Sequence, residues 1–303
     1  MKLPIACAIN NDYALPLLVM LISLKEHLRP SYQPVLYLMH QGVSEDLLAS
    51  ISRLVETHPI VPRPETIAAI PRHPHFPREA AYSLLLPDLL PGTLDRILFL
   101  DADLLVLDDL AQLWETSMGE SVLAAAPDAA IPLCRSPRGV KNRTELGISE
   151  DAVYFNCGVM LIHLSGWRER NVTARACEYL QKVGPQVDFL HQEALNAILW
   201  DDWLPLESRW NLLGSLAGRP YESSGSGTWR KPGIVHFAGR FKPWRAPIGG
   251  PFDQKYRAFL SRATLRASAV KPTLKDKLLS VYDRHLRNSL YGCERALWNR
   301  RLF

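Results

Sequence analysis

Apolar and polar positions come in blocks along the first two thirds of the chain. Residues 3–9 and 34–39 are short apolar runs, each followed by a segment whose apolar residues recur at helical spacing, 15–28 and 44–57. Short apolar runs bounded by turn residues predict buried strands, and a repeat near 3.6 predicts helices. In the second helix Leu47, Leu48, Ile51, Leu54 and Val55 form the stripe, with Ser44 as its cap. The proline-rich stretch 59–77 predicts a short strand and an irregular loop. Strands at 97–100, 122–126 and 154–164, and helices at 80–90, 167–183 and 188–199, continue the alternation. Repeated strand–helix units predict an α/β fold with a mostly parallel sheet. In such sheets ligands bind beyond the carboxyl ends of the strands.

The strand at 97–100 runs straight into Asp101-Ala102-Asp103, and a second apolar run, 104–107, follows at once. Carboxylates at the mouth of a buried strand are costly without a counter-charge. A divalent cation supplies one, and it can hold a diphosphate as well. Side chains two apart on an extended chain point to the same side, so Asp101 and Asp103 can converge. A triplet of this kind arises by chance about once in a chain of this length, so its position carries the weight. Another short apolar strand ends at His236. Close behind it, Gly239 permits a close backbone approach and Lys242 offers a point charge suited to a phosphate. Alone, His236 reads as a structural histidine; beside the two aspartates it reads as a third ligand.

Composition narrows the class. The 303 residues, 47% hydrophobic and 22% charged, suit one large globular domain or two small ones. The five cysteines form no CxxC pair and read as buried thiols in a reducing compartment. Residues 14–24 imitate a secretory core, but Asn10-Asn11-Asp12 and Pro16 interrupt the stretch. No run reaches the roughly 18 apolar residues of a membrane span, so a cytoplasmic protein is expected. The net charge of +4 is uneven: residues 271–303 hold eight Lys/Arg and three acids among leucines and aromatics. That pattern suits either an interfacial helix on anionic lipid or a helix packed on the body. The body offers no basic patch, which argues against nucleic acid as a partner. The Ser-Gly-rich stretch 214–228 predicts a loop.

Several segments, in order, carry a wider likeness: Asn10-Asn11-Asp12-Tyr13, the Asp101-Ala102-Asp103 strand, the run from Tyr154 through Asn156 and Gly158 to Ile162, and Trp167-Arg168. His191-Gln192-Glu193-Ala194-Leu195-Asn196, Arg209-Trp210-Asn211 and the stretch from His236 to Trp244 complete it. Over about residues 3–244 the chain resembles the family-8 retaining glycosyltransferases. These include bacterial lipooligosaccharide and lipopolysaccharide galactosyl- or glucosyltransferases and glycogenin. The resemblance implies a Rossmann-like nucleotide-sugar-binding domain of the glycosyltransferase A type, residues 1–262, with a mixed, mostly parallel sheet. A basic helical tail, 263–303, would attach it to the inner face of the cell membrane.

The resemblance also implies a UDP-hexose donor, a saccharide or lipid-linked saccharide acceptor, and a part in lipopolysaccharide or other cell-surface glycan synthesis. Asp101, Asp103 and His236 would hold Mn²⁺, with Mg²⁺ as the alternative, and Ala102 would lie against the donor between the aspartates. Asn10 and Asp12 would read the uracil edge, and Tyr13 would stack on its ring. Gly239 and Lys242 would contact the diphosphate, Asn156 would touch the donor sugar, and Gln192 would lie beneath the anomeric carbon. Two positions depart from the family pattern. Leu84, in Ala81-Tyr82-Ser83-Leu84, stands where an arginine normally meets the donor. His191 stands where an aspartate normally holds the sugar hydroxyls. Both leave the metal ligands intact, and both raise the alternative of a member without transferase activity that acts as a sugar-nucleotide-binding or membrane-associated partner. Haloacid-dehalogenase-like phosphatases also place DxD at a strand end. Theirs lies near the N-terminus and is followed by small residues, whereas Leu104 and Leu105 follow here.

Overall fold

The computed structural model describes residues 1–73, 78–214, 231–239, 242–245 and 252–266. The expected loop beyond Gly214 and the expected membrane-attaching tail at 271–303 lie outside the described residues. The chain opens with β1 (Lys2–Ile9), α1 (Ala14–His27), β2 (Gln33–His40), α2 (Glu45–Ser52), β3 (Glu56–Ile60) and α3 (Pro64–Ala68). Then come α4 (Leu86–Leu89), β4 (Arg96–Leu100), β5 (Leu104–Val106), α5 (Leu110–Trp114) and β6 (Leu123–Pro127). The remainder comprises β7 (Phe155–His163), α6 (Leu164–Glu169), α7 (Val172–Val183), α8 (Leu190–Ile198), β8 (Trp203–Pro205), β9 (Leu212–Leu213), β10 (Ile234–His236) and α9 (Asp253–Arg266).

Seven strands form one sheet in the order β3-β2-β1-β4-β7-β6-β8. All run parallel except β7, which is antiparallel to both β4 and β6. This is the mostly parallel α/β sheet that the residue pattern predicts, mixed as the resemblance implies. The period of two along each strand divides the core. Ile5, Cys7 and Ile9 of β1 and Leu98 and Leu100 of β4 pack on the α1 side. Ala6, Ile97 and Phe99 face the opposite layer with α6, α7 and α8. Helix α1 buries Ala14 and all of residues 16–24, because it packs in one core with the main sheet and also against β5 and α9. A helix apolar all round must be covered all round, and that accounts for its likeness to a secretory core.

Some boundaries differ from the sequence pattern. Helix α2 stops at Ser52, and Thr57 already belongs to β3, paired in parallel with β2. Leu54 and Val55, at helical spacing in the sequence, are instead buried in the turn, where Lys25 Nζ donates to Leu54 O at 2.6 Å. The helix predicted at 167–183 is two, α6 and α7, because Asn171 takes a left-handed conformation with φ 52°. Asparagine tolerates that region without glycine, so no Gly or Pro marked the break. Pro64 starts α3 inside the stretch expected to be irregular; a proline at the first helical position forfeits no hydrogen bond. Residues 78–85 form 3-10 turns rather than an α-helix.

A three-stranded sheet, β5-β10-β9, lies beside the main one. Its antiparallel β5–β10 pair sets Leu104 opposite His236, and Phe237 N donates to Asp103 O at 3.0 Å. Among the described residues no helix is long and apolar enough to cross a membrane. Cys7, Cys134, Cys157 and Cys177 are buried and free.

Candidate active site

The two sheets meet at Asp101-Ala102-Asp103. Asp101 N continues the β4–β7 ladder by donating to Gly158 O at 2.8 Å, while Asp103 leads into β5. The residue pattern therefore joins a strand of one sheet to a strand of the other through two carboxylates. Asp101, Asp103 and His236 each offer a ligand atom, all within 4.8 Å of one another. His236 Nε2 lies 3.6 Å from Asp101 Oδ2 and 3.3 Å from Asp103 Oδ1. Two carboxylates and one imidazole make an oxygen-rich donor set suited to a hard divalent ion such as Mn²⁺ or Mg²⁺. Gly158 makes room for it: a Cβ there would stand 2.3 Å from His236 Cε1 and 3.0 Å from Asp101 Oδ2.

A buried chain of amides fixes the orientation of the imidazole. Gly158 N donates to Asn156 Oδ1 at 2.9 Å, so that oxygen is an acceptor and Asn156 Nδ2 is a donor. Asn211 Nδ2 also donates to Asn156 Oδ1, at 2.8 Å, which turns Asn211 Oδ1 toward His236 Nδ1, 2.9 Å away. The imidazole therefore carries a proton on Nδ1, and Nε2, which faces the aspartates, is the nitrogen a metal would take. Replacing Asn211 by Ala frees that ring and is expected to weaken Mn²⁺ binding by about 10- to 100-fold, the usual effect of losing a hydrogen bond behind a metal ligand. Calorimetric titration with Mn²⁺ checks it.

In the other direction the chain reaches Gln192. Asn156 Nδ2 and Gln192 Nε2 both donate to Asp128 Oδ2, at 2.8 and 3.2 Å, and Gln192 Oε1 accepts from Cys157 N at 3.0 Å. Asp128 Oδ1 accepts from Ala130 N and Ile131 N. All of these side chains are buried. Asp128 and Asn211 thus join the residues that the sequence singled out, although neither was among them. Their signal was faint: Asn211 lies in one of the quoted segments, whereas Asp128 stands alone after β6.

Charge is balanced within the cluster. Burial, reinforced by the neighbouring Asp103, pushes the Asp101 carboxyl up to about 6. Burial also acts to raise Asp103, but Lys242 and His236 outweigh it and hold that carboxyl well below the usual range. His236 is likewise opposed by burial, yet the two carboxylates raise it. A metal bound there would displace protons from Asp101 and His236, so its affinity is expected to decline as pH falls through the range where these two groups take up protons. Below about pH 6 the decline is expected to be at least tenfold per pH unit, one proton or more being displaced per ion bound. Mn²⁺ titrations between pH 5 and pH 8 check the slope.

Of the other predicted residues, Lys242 and Tyr13 lie against this centre, the ammonium of Lys242 5.8 Å from the Tyr13 ring centroid. Asn10 Oδ1 accepts from Asp12 N at 3.1 Å and caps the 3-10 turn after β1, with Asp12 exposed. Tyr13 packs edge-on against Trp244, centroids 5.6 Å apart. Gly239 has φ +85° and open space around its Cα. Lys242, expected to be free for a phosphate, instead donates to Asp103 Oδ2 and to Phe237 O. Ala102 is buried between the aspartates. Leu84 is fully buried, and the buried Nδ1 of His191 meets no partner among the described residues. Burial pushes the His191 imidazole down to about 4, so it is neutral at physiological pH. Glu193 faces away from Gln192: its carboxylate accepts from Lys141 N, Tyr179 Oη and Asp188 N.

The model of glycosyl transferase family 8 matches residues 4–247. General stress protein A of Bacillus subtilis (strain 168) is 30% identical over 280 residues, which cover 85% of this chain and 92% of that protein. Probable galacturonosyltransferase-like 2 of Arabidopsis thaliana is 30% identical over 176 residues, 52% of this chain and 50% of that protein. The chain thus spans about half the length of that plant relative. Among solved structures, the galactosyltransferase LgtC in complex with donor and acceptor sugar analogs superposes with a TM-score of 0.73 at 22% identity, covering 91% of this chain and 98% of that one. At that identity the likeness is one of fold.

Proposed function

The chain belongs to glycosyl transferase family 8, and on that premise we propose that it moves a hexose from a UDP-sugar to a saccharide acceptor, with Mn²⁺ as cofactor and with retention at the anomeric carbon. The observation that carries the proposal is the convergence of Asp101, Asp103 and His236 at the carboxyl end of β4. These three would hold the ion. When bound, a divalent ion supplies Lewis acidity and neutralises charge on the departing diphosphate.

The chain's own residues supply the rest. Asn10, Asp12 and Tyr13, at the carboxyl end of the adjacent strand β1, bind the uracil, and Gly239 and Lys242 line the diphosphate. Asn156 and Gln192, tied together through Asp128, hold the sugar and its anomeric carbon. His191 is neutral and Leu84 carries no charge, and both suit an uncharged hexose. Gln192 is a poor nucleophile, and its amide is engaged at both ends. The carboxylates of Asp128 and Glu193 each take three or more hydrogen bonds, which blunts them as nucleophiles. This supports front-face attack, in which the acceptor hydroxyl bonds to the anomeric carbon as the glycosyl–phosphate bond breaks. The hydroxyl proton passes to a departing phosphate oxygen.

The expected acceptor is a saccharide or a lipid-linked saccharide, the latter at the inner leaflet, with residues 1–262 as the catalytic domain and 263–303 as a membrane-attaching tail. A donor screen tests the activity: UDP-glucose, UDP-galactose and UDP-galacturonate with Mn²⁺, reading UDP release with and without saccharide acceptors. Release from an uncharged hexose donor, abolished by EDTA, is expected. Tight UDP binding with no release from any donor would favour the alternative of a binding partner without transferase activity.

A further inference from the structure

Lys242 is the least expected member of the cluster. It is 8% exposed, and its ammonium donates to Asp103 Oδ2 and, at 2.9 Å, to Phe237 O. The rings of Tyr13 and Trp244 flank it, their centroids 5.8 and 5.4 Å from Nζ. The other oxygen of Asp103 faces His236 Nε2 at 3.3 Å. Both oxygens of this carboxylate are therefore engaged by cationic or ring nitrogen. A divalent ion entering the triad needs one of them, and it meets a like charge already seated there. In a buried site such repulsion is strong and poorly screened. Lysine is a point charge on a long flexible stem, so it can leave Asp103 if another anion takes it. A diphosphate seated between the ion and the Tyr13 face would be such an anion.

We propose that Lys242 is a resident counter-cation of Asp103 that yields this carboxylate to a divalent ion when a diphosphate arrives to take its ammonium, so that this side chain adds to the positive coupling between metal and nucleotide. The inference rests on the proposal above that the site takes a divalent ion and a nucleoside diphosphate. It separates two roles with opposite consequences. A lysine that merely braces the turn between Phe237 and Trp244 would, when removed, loosen the site and weaken metal binding. A counter-cation would, when removed, strengthen it.

The test is the Mn²⁺ dissociation constant of the full chain, measured by electron paramagnetic resonance of the free ion, without nucleotide and with saturating UDP. Lys242→Met is expected to bind Mn²⁺ alone about tenfold more tightly than wild type, the scale of a typical coupling between two ligands. The tightening that UDP produces in wild type should shrink by a similar factor, and Lys242→Arg should retain it. Lys242→Gln, whose amide can still donate to Phe237 O, repeats the measurement with less disturbance of the turn. Equal or weaker Mn²⁺ binding by the folded neutral variants would overturn the proposal, as would independent binding of Mn²⁺ and UDP to wild type. If wild type binds neither, the metal–diphosphate site itself fails, and the inference with it.

Discussion

Asp101→Asn is expected to lower Mn²⁺-dependent kcat/KM for the donor at least about 1000-fold, a loss of about 4 kcal/mol of transition-state stabilisation, while the protein stays folded. Asp101 is the better of the two aspartates for this experiment. Its only side-chain partner among the described contacts is His236 at 3.6 Å, and its carboxyl is raised to about 6 by burial and by Asp103. A carboxyl raised in the folded state favours folding most when protonated, and that contribution is lost as pH rises through about 6. At pH 7 the neutral amide, which has the shape of the protonated acid, therefore relieves repulsion rather than breaking a pair. Asp103→Asn is less clean. It strips the counter-charge from buried Lys242 and His236, and breaking a buried pair costs about 3–5 kcal/mol of stability. Steady-state UDP release beside a thermal melt separates the two effects. Activity within tenfold of wild type in a folded Asp101→Asn protein would remove the metal from the account.

The second large effect is expected at Asp128. In Asp128→Asn the backbone donors Ala130 N and Ile131 N claim the amide oxygen, so the new NH₂ faces two NH₂ groups, those of Asn156 and Gln192. Asn156 cannot turn over to accept, because Gly158 N and Asn211 Nδ2 already hold its oxygen. The link to Gln192 is severed, and turnover is expected to fall by about 100-fold or more, the effect of misplacing a group at the reacting centre by about an ångström. UDP binding with Mn²⁺ should remain close to wild type, since neither uracil nor diphosphate contacts pass through Asp128. Pre-steady-state turnover beside UDP calorimetry tests the split. A loss of UDP affinity as large as the loss of turnover would mean that Asp128 only supports the fold.

What was legible in the chain follows from how local each signal is. Strands β1, β2, β4, β6 and β7 announce themselves as apolar runs, because burial on both faces of a covered sheet demands it. The Asp101/Asp103 pair is legible for the complementary reason: charge at the end of such a run is out of place unless something answers it. His236 is legible at the end of β10 only beside that pair. Asp128, Asn211 and Gly158 are not marked in this way. Their importance lies in partners 28, 55 and 78 residues distant, Asn156, Asn156 and His236, and no window along the chain contains both. Lys242 shows the same limit differently. Its charge suggested a phosphate, but the neighbour it meets is a carboxylate 139 residues away. The break at Asn171 escaped notice because a left-handed asparagine leaves no compositional trace.

The most direct test of the central claim is the anomalous signal of manganese in crystals grown with Mn²⁺ and UDP. The account predicts one peak about 2–2.5 Å from oxygens of Asp101 and Asp103 and from Nε2 of His236, with oxygens of both phosphates completing its coordination. UDP bound without an ion between these three side chains, or manganese located elsewhere, would contradict it.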